Sequence, residues 1–273
     1  MTTDMNDRTG LGDRMKAYEA AVRTVLPPRG YSVIRVDGRA FHTLLRGAPR
    51  PFDPEFMAAM DATGVALCEE IQGAAFGYVQ SDEVSVLVAD ATGPDATPWF
   101  GGEVQKQVSI AAAVATAAFN ASYRATGRPS RRPALFDARV FPLPDAVEVA
   151  NCFVWRQRDA MRNSLTMVAE ANFPAARLHG VDSGRRREML AAEHGVDWEA
   201  YPDGAKRGRV VVRTSEEREV AFVHKKTGEP ETAQVWRSWW EARAAPHFTA
   251  TEGSRLAEMI PVLPNNGAEP QDG

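Results

Sequence analysis

Three acidic residues stand where short apolar runs of the sequence stop. Asp37 ends a β-rich run that begins at Tyr31, and Asp82 and Glu83 separate two β-branched runs between residues 76 and 89. Runs of β-branched and aromatic residues bounded by Asp, Gly and Ser are typical of strands and the turns that join them. Because sequential strands are often neighbours, we expect the three carboxylates to converge at one end of a sheet.

A convergent set of carboxylates suits a hard cation. Mg²⁺ prefers oxygen ligands and keeps waters and substrate phosphates in its shell, so two or three protein carboxylates are enough. Two such ions, about 3.5 to 4 Å apart, activate an attacking hydroxyl and stabilise a leaving pyrophosphate. Each acid taken singly is equally typical of an ordinary turn or hairpin tip, and the residue types alone leave that alternative open.

The segments around the acids predict the elements that position them. Apolar residues at helical spacing predict a helix from Pro54 to Ile71, with Asp53 as its N-cap, between the first strand and the hairpin. An alanine-rich run predicts a long helix from Val104 to Ala125. An amphipathic helix is expected at residues 12–26, packed on the sheet and stopped by Pro27.

The second half of the chain gives more mixed signals. Residues 134–141 predict a strand, residues 147–154 are either a strand or the start of a helix, and residues 155–171 predict a helix. A short helix follows, then two β-rich stretches at residues 205–213 and 220–224. The spacing of Trp236, Trp239 and Trp240 favours a place in the core or at a subunit interface.

Composition restricts the class of protein. The chain has 273 residues, of which 44% are hydrophobic, enough for the core of one large domain or of a domain with an appendage. The first residues lack the apolar core of a signal peptide, and no run approaches the roughly 20 apolar residues of a membrane span. We expect a cytoplasmic protein without a membrane partner. Cys68 and Cys152 are isolated, which favours two small core residues over a metal site or disulfide.

The charge distribution is uneven. The net charge of −4 argues against coating of nucleic acid through bulk electrostatics. Residues 1–100 carry 9 Lys and Arg against 14 Asp and Glu, whereas residues 121–213 carry 16 against 11. We expect an anionic partner at the basic clusters of this second region, although a solvated surface is the alternative. The clusters are Arg124, Arg128, Arg131 and Arg132; Arg185, Arg186 and Arg187; and Lys206, Arg207 and Arg209.

The sequence around the acids is more specific than the acids themselves. It includes Arg35-Val-Asp37-Gly38-Arg39-Ala-Phe41-His42, Arg50-Pro-Phe-Asp53 and Tyr78-Val-Gln-Ser81-Asp82-Glu83. These segments resemble the tRNA(His) guanylyltransferase family and its bacterial-type Thg1-like proteins, which add nucleotides to the 5′ end of tRNA. The resemblance covers about residues 16–265 and continues through three later segments: Phe100-Gly-Gly-Glu-Val-Gln-Lys106-Gln-Val-Ser109, Phe136-Asp-Ala-Arg139 and Trp155-Arg-Gln157-Arg-Asp159.

The resemblance implies a fold and an organisation. The fold is of the α+β class, with a polymerase-palm-like (ferredoxin-like) antiparallel sheet, helices on one face and a C-terminal α+β extension. Residues 1–145 form the catalytic palm-like part, residues 146–265 the tRNA-contacting and oligomer elements, and residues 266–273 a disordered tail. The implied assembly is a homotetramer, a dimer of dimers.

The resemblance also implies a reaction and its residues. The 3′-hydroxyl of GTP or another NTP attacks an RNA 5′ end that is a triphosphate or is activated with ATP. Asp37, Asp82 and the Gly38 carbonyl hold two Mg²⁺ ions, and Glu83 supports this cluster as the third catalytic acid. The implied nucleotide-binding residues are Asp37, Gly38, Arg39, Ala40, Phe41, His42, Arg50, Ser81, Asp82, Lys106, Ser109 and Asn163.

Two departures from the eukaryotic-type pattern bear on the substrate. Residues Met161 to Met167 replace the motif His-Ile-Asn-Asn-Leu-Tyr-Asn and keep only its Asn163 and Leu165, and Gly102-Glu103 stands where paired arginines are expected. These changes favour repair of tRNA 5′ ends over strict addition of G to tRNA(His). A palm-type nucleotide cyclase and a non-enzymatic RNA-binding module are the alternatives to this function.

Overall fold

A computed structural model of the chain describes residues 10–90, 93, 96–127, 132–223, 225 and 228–264. Arg128, Arg131 and the expected disordered tail at 266–273 lie outside these ranges. The helices and strands, in chain order, are α1 (Leu11–Ala20), β1 (Tyr31–Gly38), α2 (Phe41–Leu44), α3 (Pro54–Glu70), β2 (Ala74–Gln80), β3 (Glu83–Ala89), α4 (Val104–Ala125), β4 (Phe136–Leu143), α5 (Ala146–Asn172), α6 (Ala175–Leu178), α7 (Ser183–His194), α8 (Asp203–Arg207), β5 (Arg209–Val223), β6 (Pro230–Ala244) and α9 (Arg255–Met259).

The strands form one antiparallel sheet in the order β4-β1-β3-β2-β5-β6. Its centre is β3, all of whose residues are buried. This strand lies between β1 and β2 and is covered on both faces, which explains why its sequence reads as a continuous apolar run. The expected strand, helix and hairpin order from Tyr31 to Ala89 is confirmed.

Helices α3 and α4 cover one face of the sheet, as expected for the palm-like part. Phe56, Met60 and Leu67 of α3 pack with Phe119 of α4 on the strand residues Ile34, Val36, Val84 and Val86. Ala111 and Ala115 are fully buried, because their small side chains let α4 approach closely. The N-cap prediction is also confirmed, since the Asp53 carboxylate accepts a hydrogen bond from the Glu55 backbone N–H at 3.0 Å.

The C-terminal extension covers the opposite face. Val149 and Phe153 of α5 and Leu256 of α9 pack on a second set of strand residues, which includes Tyr31, Val33, Phe76 and Leu87. The ambiguous stretch at 147–154 is therefore helical, since it faces an apolar sheet surface along one helical stripe. The extension also adds β5 and β6 to the sheet, and its division from the first part at residue 145 stays a prediction.

One expectation for the apolar surface is wrong in the described residues, and a second is only narrowed. Helix α1 ends at Ala20 and buries none of its residues, because α3, α4, α5 and α9 already cover the sheet; Tyr18 is 67% exposed. Trp236 is 69% exposed, because β5 and β6 extend past their neighbours as a two-stranded arm. Of its two expected places, the core is therefore excluded, and the subunit interface stays a prediction. Trp239 and Trp240 are half-buried.

Two further expectations concern cysteines and membrane spans. Cys68 is buried in the core, as expected, whereas Cys152 is only half-buried at the edge of the second cluster. Within the described ranges, none of the helices combines the length and the apolar character needed to cross a membrane.

Candidate active site

Asp37 and Asp82 meet at one end of the sheet. Asp37 is the penultimate residue of β1, and Asp82 lies in the two-residue turn between β2 and β3. The Gly38 N–H donates a hydrogen bond of 2.9 Å to the Asp82 carbonyl oxygen. A Cβ atom at Gly38 would lie 2.4 Å from the Phe41 ring and 2.9 Å from the Asp82 Cβ, so glycine is required for this close approach.

The surroundings oppose ionisation of both acids. Burial raises the pKa of Asp37, and the negative charges of Asp82, Glu83 and Asp137 raise it further. Burial also raises the pKa of Asp82, although hydrogen bonds from the backbone and from Ser81 act in the opposite direction. Two half-buried carboxylates that repel one another form a site in which a cation stabilises the ionised state of both.

Glu83 shares this end of the sheet but is bound by arginines. It pairs with Asp37 in the β1–β3 register and is buried. Arg156 binds both of its oxygens, with Nε 2.9 Å from Oε1 and Nη2 2.7 Å from Oε2, and Arg35 Nε lies 3.4 Å from Oε1. The charge of Glu83 is thus already compensated within the protein, and its expected support of the metal cluster stays a prediction.

The metal-ligand set is consequently small. Among the described residues, no group of three or more His, Cys, Asp and Glu side chains is arranged to hold a metal ion. A cation at Asp37 and Asp82 has to complete its shell with backbone oxygen, water or phosphate. That donor set fits Mg²⁺, which typically takes one or two carboxylates together with waters and substrate phosphates.

A cavity of about 230 Å³ opens beside the β2–β3 turn. Four of the predicted nucleotide-binding residues line it: His42, Arg50, Ser81 and Asn163. Apolar residues supply much of the remaining wall, among them Phe52, Met57, Ala160 and Met167. The cavity thus joins cationic and hydroxyl groups to an apolar surface, the combination that binds a nucleotide's phosphates and base.

The stretch after Gly38, residues 39–41, is held in place by its own backbone conformation and by packing of Phe41. Ala40 has a left-handed conformation, with φ of 58°, and precedes the one-turn helix α2. The Phe41 side chain is buried in the core against Phe56, Phe119 and Phe136. Arg39 is exposed, and its backbone N–H donates to the Leu135 carbonyl at 2.8 Å.

Lys106 and Ser109 lie elsewhere in the chain. Both are exposed near the start of α4, where the Ser109 hydroxyl donates to the Lys106 carbonyl at 3.2 Å. Gly102 and Gln107, beside this helix start, line a small cavity with Tyr31, at the end of β1 opposite Asp37. A single copy of the chain therefore does not bring Lys106 and Ser109 to the carboxylates.

The structure adds site residues that sequence reasoning missed. Gln80 and Ser164 line the cavity, and Arg156 binds Glu83 from helix α5. A signal for Arg156 is present in the sequence, because it continues the buried stripe formed by Val149 and Phe153 at helical spacing. A charged residue on such a stripe needs a buried partner of opposite charge.

The basic clusters divide into internal and exposed residues. Lys206 and Arg209 are buried; Lys206 donates to the Glu199 carbonyl at 2.6 Å, and Arg209 binds Asp61 at 2.6 Å. Arg207 pairs with Asp203. Lys206 and Arg209 are therefore corrected as RNA contacts, whereas Arg207 is half-buried and the side chains of Arg185 and Arg187 are 64% and 45% exposed.

Comparisons with known proteins agree with this geometry. The model of the tRNAHis guanylyltransferase family (Thg1) matches residues 12–144. A bacterial Thg1-like protein solved in complex with ATP is 36% identical, with a TM-score of 0.75 over 86% of this chain and 93% of that one. A bacterial Thg1-like protein in complex with GTP is 33% identical, with a TM-score of 0.68 over 87% and 93% of the two chains. The tRNA(His) guanylyltransferase of Schizosaccharomyces pombe is 25% identical over 73% of this chain and 78% of its own.

The shared fold and these matches define a palm-like nucleotidyltransferase. The chain belongs to the tRNA(His) guanylyltransferase family.

Proposed function

We propose that the chain is a Mg²⁺-dependent nucleotidyltransferase that adds nucleotides to the 5′ end of tRNA in the 3′-to-5′ direction. The observation that carries this proposal is the convergence of Asp37 and Asp82 beside the cavity lined by Arg50 and Ser81. Relatives solved with ATP and with GTP support nucleotides as the occupants of that cavity. In the reaction, the 3′-hydroxyl of the incoming nucleotide bonds to the RNA 5′ phosphorus, and pyrophosphate leaves a triphosphate end or AMP leaves an adenylylated end.

Asp37 and Asp82 are the residues that hold Mg²⁺, with the Gly38 carbonyl as a further ligand. When bound, Mg²⁺ activates the attacking hydroxyl and neutralises the leaving group. The raised pKa values of the two acids fit this role, because burial and neighbouring negative charges oppose their ionisation, and a bound cation would favour it.

The cavity residues bind and orient the nucleotide. Arg50 and His42 offer cationic or donor groups to the phosphates, and the Ser81 hydroxyl adds a neutral donor next to Asp82. Phe52, Met57 and Met167 give the base an apolar contact and exclude water. Asn163 lies on α5 at the cavity wall, where its amide can bond to the ribose or base.

We further propose repair of truncated tRNA as the preferred reaction. The departures at Met161–Met167 and Gly102-Glu103 remove groups expected for recognition of one tRNA, so base pairing becomes the source of nucleotide choice. A pair opposite the incoming nucleotide orients its 3′-hydroxyl, and such positioning contributes about 7 to 11 kcal/mol to a two-substrate reaction.

The test incubates the purified protein with labelled, 5′-truncated tRNA, Mg²⁺ and each NTP in turn. We expect extension by one nucleotide at the 5′ end, with the NTP complementary to the opposite base. Release of a cyclic nucleotide without RNA, or RNA binding without extension under any of these conditions, would contradict the proposal and favour one of its alternatives.

The proposed assembly is a homotetramer acting in the cytoplasm. Exposed apolar residues of the N-terminal segment, Tyr18, Val22 and Val25, and the exposed Trp236 support association, because large apolar side chains on a surface commonly mark contacts. Sedimentation analysis measures the assembly directly, and a monomer at micromolar concentration would refute it.

A further inference from the structure

Helix α5 carries a buried arginine that reaches the carboxylate end of the sheet. Arg156 binds both oxygens of Glu83, at 2.9 and 2.7 Å, and its Nη2 also lies 3.0 Å from Asp159 Oδ2. Asp159 in turn accepts from Arg162 at 2.8 Å and from Asn163 at 3.4 Å. A continuous chain of polar contacts therefore runs along α5 from the carboxylates to a residue of the nucleotide cavity.

The ion pair between Arg156 and Glu83 is more informative for its position in the site than for its contribution to stability. A buried ion pair is weak evidence for stability, because a well-packed apolar pair commonly serves as well. Glu83, however, follows Asp82 directly and faces Asp37 across the β1–β3 register. The bonds between Glu83 and Arg156 therefore tie the start of β3, next to Asp82, to helix α5. The same helix carries Asn163, which lines the cavity.

We propose that Arg156 is a positioning residue for nucleotidyl transfer, acting through Glu83 to hold the Asp37–Asp82 site and the nucleotide cavity in one geometry. Arg156 also keeps Glu83 from acting as a third ligand. Without Arg156, Glu83 would keep the 3.4 Å contact between its Oε1 and Arg35 Nε, but its released Oε2 beside Asp37 and Asp82 would bind a cation and draw it away from the productive place. This inference rests on the proposed function.

The test measures Mn²⁺ affinity and kcat. When Arg156 is replaced by Met, a purely structural role predicts that both fall, whereas a positioning role predicts that the first rises and the second falls. Arg156→Met should bind Mn²⁺ more tightly than the wild type in an EPR titration of the free protein, because a positive charge is removed and Glu83 Oε2 loses its partner. Its kcat with saturating NTP and RNA should fall about 100-fold, the cost of a misplacement of about 1 Å. Arg156→Lys keeps the charge but not the two-pronged bond, so its Mn²⁺ affinity should stay unchanged while its kcat falls.

The dependence on Glu83 is tested by a double-mutant cycle. The Glu83→Gln/Arg156→Met variant should be no less active than Glu83→Gln alone, because the effect of Arg156 on the Asp37–Asp82 site passes through Glu83 and its contact with Asp159 does not replace that bond. The matched control is Arg177→Met, which breaks an exposed two-pronged pair with Glu193, at 2.7 and 2.9 Å, and should leave both Mn²⁺ affinity and kcat unchanged.

Three results would overturn the proposal. They are an unchanged kcat in Arg156→Lys, weaker Mn²⁺ binding in Arg156→Met, and additive losses in the cycle, which would mean that Arg156 contacts the substrate itself. If Arg156→Met does not fold, the kcat and Mn²⁺ affinity of the Arg156→Lys and Glu83→Gln variants test the proposal. Absence of nucleotide addition by the wild type would refute the proposed function instead, and the Mn²⁺ measurements would still report on Arg156.

Discussion

Replacement of Gly38 by alanine is the smallest change that tests the geometry of the site. The added Cβ would lie 2.4 and 2.5 Å from two carbons of the Phe41 ring, far inside van der Waals contact. The ring cannot move away easily, because it packs on Phe119 and Phe136 with centroid separations of 5.0 and 5.1 Å. The strain must be relieved by the backbone, which moves Gly38 relative to Asp82.

Two magnitudes follow for Gly38→Ala. Overpacking of this kind costs about 1 to 3 kcal/mol of stability, so the protein should still fold with a lower Tm. A displacement near 1 Å between Asp37 and Asp82 should lower kcat about 100-fold, a much larger effect than the loss of stability explains.

The assay combines a thermal melt with single-nucleotide addition to truncated tRNA, measured well below the Tm. Gly30→Ala is the matched control: it precedes the other end of β1, and a Cβ there meets no atom within 4 Å. Wild-type kcat in Gly38→Ala, together with a reduced Tm, would show that the close approach at Gly38 does not position the site.

Three other predictions concern charge and substrate. Asp37→Asn should raise the Tm at neutral pH in the absence of divalent cations, because the raised pKa of Asp37 makes its ionised form destabilising. This gain in Tm should shrink as the pH falls through the raised pKa, where Asp37 becomes neutral. A Tm difference that does not vary with pH would contradict the prediction. Replacing the exposed Arg185 and Arg187 by Gln should weaken tRNA binding and lower its salt slope by about 1 for each phosphate that is no longer neutralised, whereas an unchanged slope would place the RNA elsewhere. The ratio kcat/KM should be higher for repair of truncated tRNAs than for G addition to intact tRNA(His), and the reverse order would restore strict guanylyltransferase specificity.

Much of the first half of the fold follows from local sequence signals. Helix α4 has the predicted bounds, Val104 to Ala125, and α3 ends one residue before the predicted limit. These elements carry their own signals: an N-cap at Asp53, helical spacing and β-branched runs that alternate with turn residues. The convergence of Asp37 with Asp82 also follows from the sequence, because a hairpin and the strand beside it leave few ways to pair.

The features that could not be predicted depend on contacts between distant parts of the chain. Glu83 and Arg156 are 73 residues apart, so no spacing rule connects them. The amphipathic pattern of residues 12–26 identifies an apolar stripe but not the surface that covers it, which is why the prediction that α1 packs on the sheet is wrong. Likewise, the cluster of Lys206 and Arg209 has the composition of an RNA site, and only the folded chain shows these side chains buried against Glu199 and Asp61.

Nucleotide addition by Asp37→Ala and Asp82→Ala variants tests the central claim most directly. With RNA that already carries a 5′-triphosphate, saturating complementary NTP and Mg²⁺, both variants should lose addition while keeping a cooperative melt, because each removes a metal ligand and also relieves repulsion between acids. Glu252→Ala, which removes an exposed acid that does not line the cavity, should retain wild-type activity. Substantial Mg²⁺-dependent addition by either Asp variant would contradict the assignment of the reaction to this end of the sheet.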